Sequence, residues 1–171
     1  MSEQLLIEYL DRRKADYTLH SHLKAYTAPE IAEQCHVAGN TFAKVVMVKV
    51  DGVLAMVVLP AHFQVDLDEL TMSLGVSCIT LACEREFAHR FPRCEIGAMP
   101  PFGHLYGLDT YMIPVFENQR KITFNAGTHS EIIRMSMYEY LRFAYVTEVD
   151  KCAIPFSLKH DQYDELLFKN V

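Results

Sequence analysis

The spacing of hydrophobic positions changes along the chain, and each change marks an element. Leu6, Tyr9 and Leu10 recur at helical spacing ahead of Arg12-Arg13-Lys14, predicting a short amphipathic helix. Thr18-Leu19-His20-Ser21-His22 alternates and predicts a strand, with His20 and His22 on one face. Thr27-Ala28-Pro29-Glu30 forms a capping box, in which the Thr27 hydroxyl and the Glu30 carboxylate each satisfy an amide at the helix start. Pro29 is tolerated there because those first amides have no intrahelical partner. Gly39 suits the left-handed stop after Ile31, Ala32 and Cys35.

The strongest local signal follows. Ala43–Val50 and Val53–Leu59 are two apolar runs joined by Asp51-Gly52, the two-residue turn preferred in β-hairpins. The second run is almost continuously apolar, which predicts burial on both faces. Asp66-Leu67-Asp68-Glu69 opens a capped helix ending near Gly75, and Glu84–Phe91 reads as another, bounded by Pro92. Tyr111–Val115, Lys121–Asn125 and Ile132–Met135 read as strands. Ser136-Met-Tyr-Glu139 caps a helix running to about Phe143. Hairpins interleaved with helices, without strict strand–helix alternation, predict an α+β fold with a mixed sheet. Residues from about Tyr145 to Val171 differ in character, with one helix expected over Asp161–Lys169.

Composition narrows the class. A chain of 171 residues, 50% hydrophobic and 22% charged, suits a single domain with a well-buried core. No apolar run reaches the ~18–20 residues that cross a bilayer, and the start has neither a basic region nor an apolar leader core, so a cytoplasmic protein without membrane contact is expected. Five cysteines (Cys35, Cys78, Cys83, Cys94 and Cys152) contain no Cys-x-x-Cys pair, which argues against a disulfide scaffold or zinc ribbon. The net charge of −6 disfavours coating of duplex DNA, though not contact with a short nucleic-acid end.

Three places offer chemistry. Lys44 shares a strand face with Val46, Val48 and Val50: either its ammonium reaches water from the strand end, or it is a pocket cation for a phosphate or carbonyl. Gly97-Ala-Met99-Pro100-Pro101-Phe102-Gly103 is either a stiff connection or a rigid loop aiming backbone groups at a ligand. Ala126-Gly127-Thr128-His129 is either a tight turn with an exposed imidazole or a substrate contact at a strand end. His20 and His22 lack an identifiable third ligand, so no metal is expected. The cysteines lie mostly in apolar contexts, where a free cysteine is usually a small buried hydrophobe. No nucleophile elbow, P-loop or dinucleotide fingerprint occurs.

In order, the chain shows His22, Thr27-Ala28, Ala43-Lys44-Val-Val, Val57-Val-Leu-Pro-Ala61, Asp66-Leu67, Leu74-Gly75, Gly97-Ala-Met-Pro-Pro-Phe-Gly103, Tyr106-Gly-Leu-Asp109 and Ala126-Gly-Thr-His129. This set resembles the YbaK/prolyl-tRNA synthetase-associated domain family of aminoacyl-tRNA editing proteins over about residues 1–143, with 144–171 as an extension. The resemblance implies a mixed, partly barrel-like sheet flanked by helices. It implies a trans-acting hydrolase that removes a small amino acid from mischarged tRNA: alanine on proline tRNA first, with serine, threonine and cysteine as further candidates. Under it, Lys44 matches the essential lysine that binds the charged 3′ end, and Gly97 and Pro101 match the Gly-x-x-x-Pro loop. Gly127, Thr128 and His129 match the Gly-Thr-His signature. Lys44, Gly97, Pro101 and His129 are then the expected catalytic positions. His22, Thr27, Met99, Pro100, Phe102, Gly103, Gly127 and Thr128 are the expected substrate contacts. No cofactor is implied; the implied partners are the aminoacyl-tRNA 3′ end and a synthetase served in trans. Aminoacyl esters are already activated, so positioning and a ribose hydroxyl of the tRNA suffice to direct water. A non-catalytic module binding aminoacyl-tRNA or an amino acid is the alternative from another class, and a hydrolase using cysteine or metal is a third.

Overall fold

The computed structural model describes residues 3–26, 33–34, 41–113, 120–150 and 152–155. The capping box with Thr27, and most of the helix it was expected to open, lie outside the described residues. So does the helix expected over 161–169.

The hairpin forms as its turn requires. β2 (Ala43–Val50) and β3 (Val53–Pro60) pair antiparallel along their whole length. Asp51 and Gly52 both take positive φ, 47° and 85°, so the turn's twist matches that of the strands. β3 pairs in parallel with β6 (Asp109–Met112), which pairs in parallel with β9 (Thr147–Glu148). β5 (Ile79–Leu81) joins the far end of β2, giving the order β5-β2-β3-β6-β9. A three-stranded sheet has the order β1 (Tyr17–Ser21), β8 (Glu131–Ser136), β7 (Lys121–Asn125). β4 (Phe63–Val65) pairs with β10 (Ala153–Pro155). The two larger sheets meet at a parallel bridge between Phe42 and Thr123, reinforced by the Thr123 N–H donating to the Thr41 carbonyl at 2.9 Å. The result is the expected α+β domain, a mixed sheet flanked by helices.

Helix ends follow their caps. α1 spans Glu3–Arg12, α2 Leu67–Leu74, α3 Glu84–Phe87 and α4 Met137–Ala144. The Asp66 carboxylate accepts from the Asp68 and Glu69 amides, and Gly75 closes α2 at φ 62°. The Ser136 hydroxyl accepts from the Glu139 amide at 3.1 Å. The helix expected over Glu84–Phe91 stops being α-helical at Phe87 and tightens to a 3-10 turn over Ala88–Arg90. Pro92 disfavours helical geometry at the residue before it, and Phe91 stands at φ −119°, ψ 56°.

β2 and β3 divide the interior. One core, against α1 and α4, gathers Leu6, Met47, Val58, Phe102, Phe124 and Tyr140; the other holds Val48, Val57, Leu59, Leu70 and Ile113. Residues 147–149 and 152–155, from the segment expected as an extension, pack into the second core or pair with the sheets.

Candidate functional site

Lys44 enters on β2 opposite Leu59, on the face of the second core, and is half-buried. Burial pulls its ammonium down from the ordinary 10.5 to about 8, because apolar surroundings disfavour the charged form. The proton is therefore retained at neutral pH but held loosely.

A single bridge relates Lys44 to the strand that leads into the 126–129 turn. The parallel bridge pairs Phe42 with Thr123, so two residues further along are Lys44 on β2 and Asn125 on β7. Residues opposite one another point to the same side of a sheet. Asn125 faces Ile132, and Ile132 faces His20, so Lys44 shares a side with both. On that side a groove of about 410 Å³ is lined by His20, His22, Gln34, Ile132 and Arg134, among others. His22, which lines the groove, and Asn125 on the same side of the sheet have the buried atoms Nε2 and Oδ1 without hydrogen-bond partners. Orphaned polar atoms of this kind are suited to a ligand or to water.

The two expected loops are tied to one another directly. The His129 Nε2–H donates to the Ile96 carbonyl at 2.9 Å, and the Glu95 N–H donates to the Gly127 carbonyl at 2.9 Å. Gly97 (φ 89°) and Gly127 (φ 108°) occupy backbone conformations that other residues avoid. A Cβ at Gly97 would stand 3.4 Å from the His129 ring, an ordinary contact, so the backbone conformation rather than the space calls for glycine. The segment after β1 lies along the same turn: His22 N–H donates to the Ser130 carbonyl (2.9 Å), Ala25 N–H to the His129 carbonyl (3.0 Å), and Tyr26 stacks 5.0 Å from the imidazole.

The individual residues divide into two groups. Gly97 is exposed, and His22 and Thr128 are partly exposed. Thr128 spends its hydroxyl on the Glu131 carboxylate at 3.0 Å. His129 is only 6% exposed, so the reading of it as an exposed turn imidazole is corrected: its ring is a bridge between loops. Met99, Pro100, Pro101, Phe102, Gly103 and Gly127 are buried. Phe102 packs among Tyr9, Phe124 and Tyr140, which makes its side chain a core anchor for the loop. At Gly103 a Cβ would collide with the Thr110 hydroxyl.

Two residues overlooked in the sequence hold the loops. The buried Tyr140 hydroxyl on α4 donates to the Pro101 carbonyl at 3.0 Å, and burial raises its pKa. Glu95 accepts from the His129 N–H at 2.6 Å, a bond that holds its carboxyl below the usual range. Helical spacing marks Tyr140 as core, but nothing local reveals its partner 39 positions away.

Among the described residues, no group of three or more His, Cys, Asp or Glu is placed to hold a metal. The Cys94 thiol is pushed up by burial and contacts the Tyr106 hydroxyl at 3.4 Å, the reverse of an activated nucleophile. Among the described residues no helix is long and apolar enough to cross a membrane.

Residues 22–143 match the model of the aminoacyl-tRNA editing domain family. No curated protein matches the sequence. Among solved structures, the fold is similar to that of a protein described as a candidate trans-editing enzyme for prolyl tRNA synthetase, at 18% identity and TM-score 0.76, over 87% of this chain and 95% of that one. It is also similar to the hypothetical protein APE2540, at 16% identity and TM-score 0.78, over 88% of this chain and 99% of the other. A longer chain from Marinobacter aquaeolei VT8, described as a candidate signal transduction protein, matches 97% of this chain with 35% of its own length, at 13% identity and TM-score 0.69.

Proposed function

We propose, from the premise that this chain belongs to the aminoacyl-tRNA editing domain family, that it hydrolyses mischarged aminoacyl-tRNA in trans, releasing a small amino acid. Alanine on proline tRNA is the leading substrate, with serine, threonine and cysteine as alternatives. What supports this reading is a half-buried Lys44 two residues beyond the strand bridge to β7, together with a turn after β7 that is bonded to the Gly97 loop.

Each part has a physical task. The Lys44 ammonium grips the anionic, acylated 3′ end and regains full charge as the phosphate approaches. The backbone of Gly97 and of the Gly127–His129 turn orients the amino acid and its carbonyl. A ribose hydroxyl of the tRNA steers a water molecule onto that carbonyl. The water oxygen adds, the carbon–oxygen bond to the ribose breaks, and the free amino acid leaves while the ribose oxygen takes up a proton. Water activation by a side chain is unnecessary because the ester is already activated; prepaid orientation supplies the acceleration. Editing is needed because one methylene is worth only about 1–3 kcal/mol to a synthetase pocket, so small intruders are charged.

Incubation with tRNA bearing alanine, serine, threonine or cysteine tests this. Release of at least one amino acid, lost in Lys44→Ala with the fold retained, is expected. Equal release by wild type and variant would overturn the mechanism, and tight binding without turnover would mark a binding module instead.

A further inference from the structure

Glu95 stands between the two loops and touches both. Its backbone N–H donates to the Gly127 carbonyl at 2.9 Å, and its carboxylate Oε2 accepts from the His129 N–H at 2.6 Å. Its carbonyl accepts from the Ala98 N–H at 3.0 Å, which closes the turn that sets Gly97 at φ 89°. Its other carboxylate oxygen accepts from Lys24 Nζ at 3.3 Å, reaching the segment that follows β1. One residue therefore fixes three chain segments, although it belongs to no helix or strand itself.

The arms of this clamp are unequal. The bond to His129 is short, partly shielded and assisted by the carboxylate charge, the kind that is strong and directional. The contact with Lys24 joins side chains 53% and 41% exposed, where water and salt leave little net attraction. His129 returns the connection through its ring bond to the Ile96 carbonyl, and it packs where a Cβ at Gly97 would come within 3.4 Å. The mutual placement of the two loops is thus fixed by several direct bonds. Orientation of that quality matters because a displacement of about 1 Å at a reacting centre costs on the order of a hundredfold in rate.

We propose that Glu95 is a positioning residue, locking the 97–103 loop to the 126–130 turn so that their shared shape selects the aminoacyl group. This rests on the editing reading of the site. Glu95→Gln keeps an oxygen acceptor for the His129 N–H, whereas Glu95→Ala removes it. Loss of a hydrogen bond to a charged group predicts a fall in kcat/KM of roughly ten- to a hundredfold in Glu95→Ala. Glu95→Gln should recover to within about threefold of wild type, since the acceptor geometry survives. Lys24→Ala should stay within about threefold, as expected of an exposed ion pair.

The deciding measurements are the ratio of kcat/KM for alanyl and seryl esters, and hydrogen exchange at the His129 amide. A partly unfolded enzyme loses both activities in proportion, whereas a displaced loop changes their ratio. The proposal expects a changed ratio and a faster-exchanging His129 amide in Glu95→Ala, both reversed in Glu95→Gln. An unchanged ratio, or exchange equal to wild type, overturns it. If wild type deacylates nothing, the editing reading fails, and with it selection by the loops; the exchange data then report separately whether the lock exists.

Discussion

The two ends of β2 carry a lysine each and treat it in opposite ways. Lys44, at the entry, shares a face with Val46 and Val48, and burial draws its ammonium down to about 8. Lys49, at the exit, points to the other face and meets Glu86 at 2.6 Å. That hydrogen bond raises the lysine's pKa and draws Glu86 down to about 2, helped by the Cys83 N–H donating to the same carboxylate at 2.8 Å. Residue type and strand are shared, so the difference comes from what surrounds each ammonium. The carboxylate beside Lys49 holds its proton more firmly, whereas burial loosens that of Lys44, and an approaching anion would restore its charge.

The largest expected consequence is in activity. After subtraction of uncatalysed ester hydrolysis, kcat/KM should fall above about pH 8 as the free enzyme's Lys44 loses its proton, approaching tenfold per pH unit. Lys49→Met should leave that profile in place, with rates within about twofold of wild type, since the partly buried pair it breaks lies on the other face of the strand. A wild-type profile flat to pH 10, or one displaced by Lys49→Met, would break the contrast.

Stability gives a smaller effect of predictable sign. Between about 8 and the ordinary 10.5 the unfolded chain holds a proton on Lys44 that the folded chain has released. Wild-type stability therefore rises with pH across that window, and the full penalty for the buried charge is present below it. Denaturant unfolding should find Lys44→Met more stable than wild type at pH 7 by on the order of 1–2 kcal/mol, after allowance for the lysine's remaining solvent contact. That advantage should shrink towards pH 10.5.

The smallest effect lies at the other end. The contribution of the Lys49–Glu86 pair is fully present above the ordinary carboxylate value of 4.5 and is lost as pH falls towards about 2. Glu86→Gln should be slightly less stable than wild type at neutral pH. The gap should close in acid and in concentrated salt, as measured by thermal melts.

How much of this was legible depended on the range of the interaction. Asp51-Gly52 specified the hairpin, Asp66 and Gly75 bounded α2, and Ser136 started α4, because turns and caps are made by residues close in the chain. Lys44 stood out for the same reason, as a cation in an apolar run. Strands β4, β5, β9 and β10 did not stand out: each has two or three residues, too few for a period, and exists only through its partner.

By itself, then, the sequence determined the hairpin, the ends of α2, the start of α4 and the ordered motifs that mark an editing domain. Tertiary structure alone decided that β7 meets the start of β2, that Tyr140 holds Pro101, and that Glu95 joins Gly127 and His129. The physical reason is loop closure. Such contacts join residues more than 30 positions apart, and their partners are selected by the folding of everything between them.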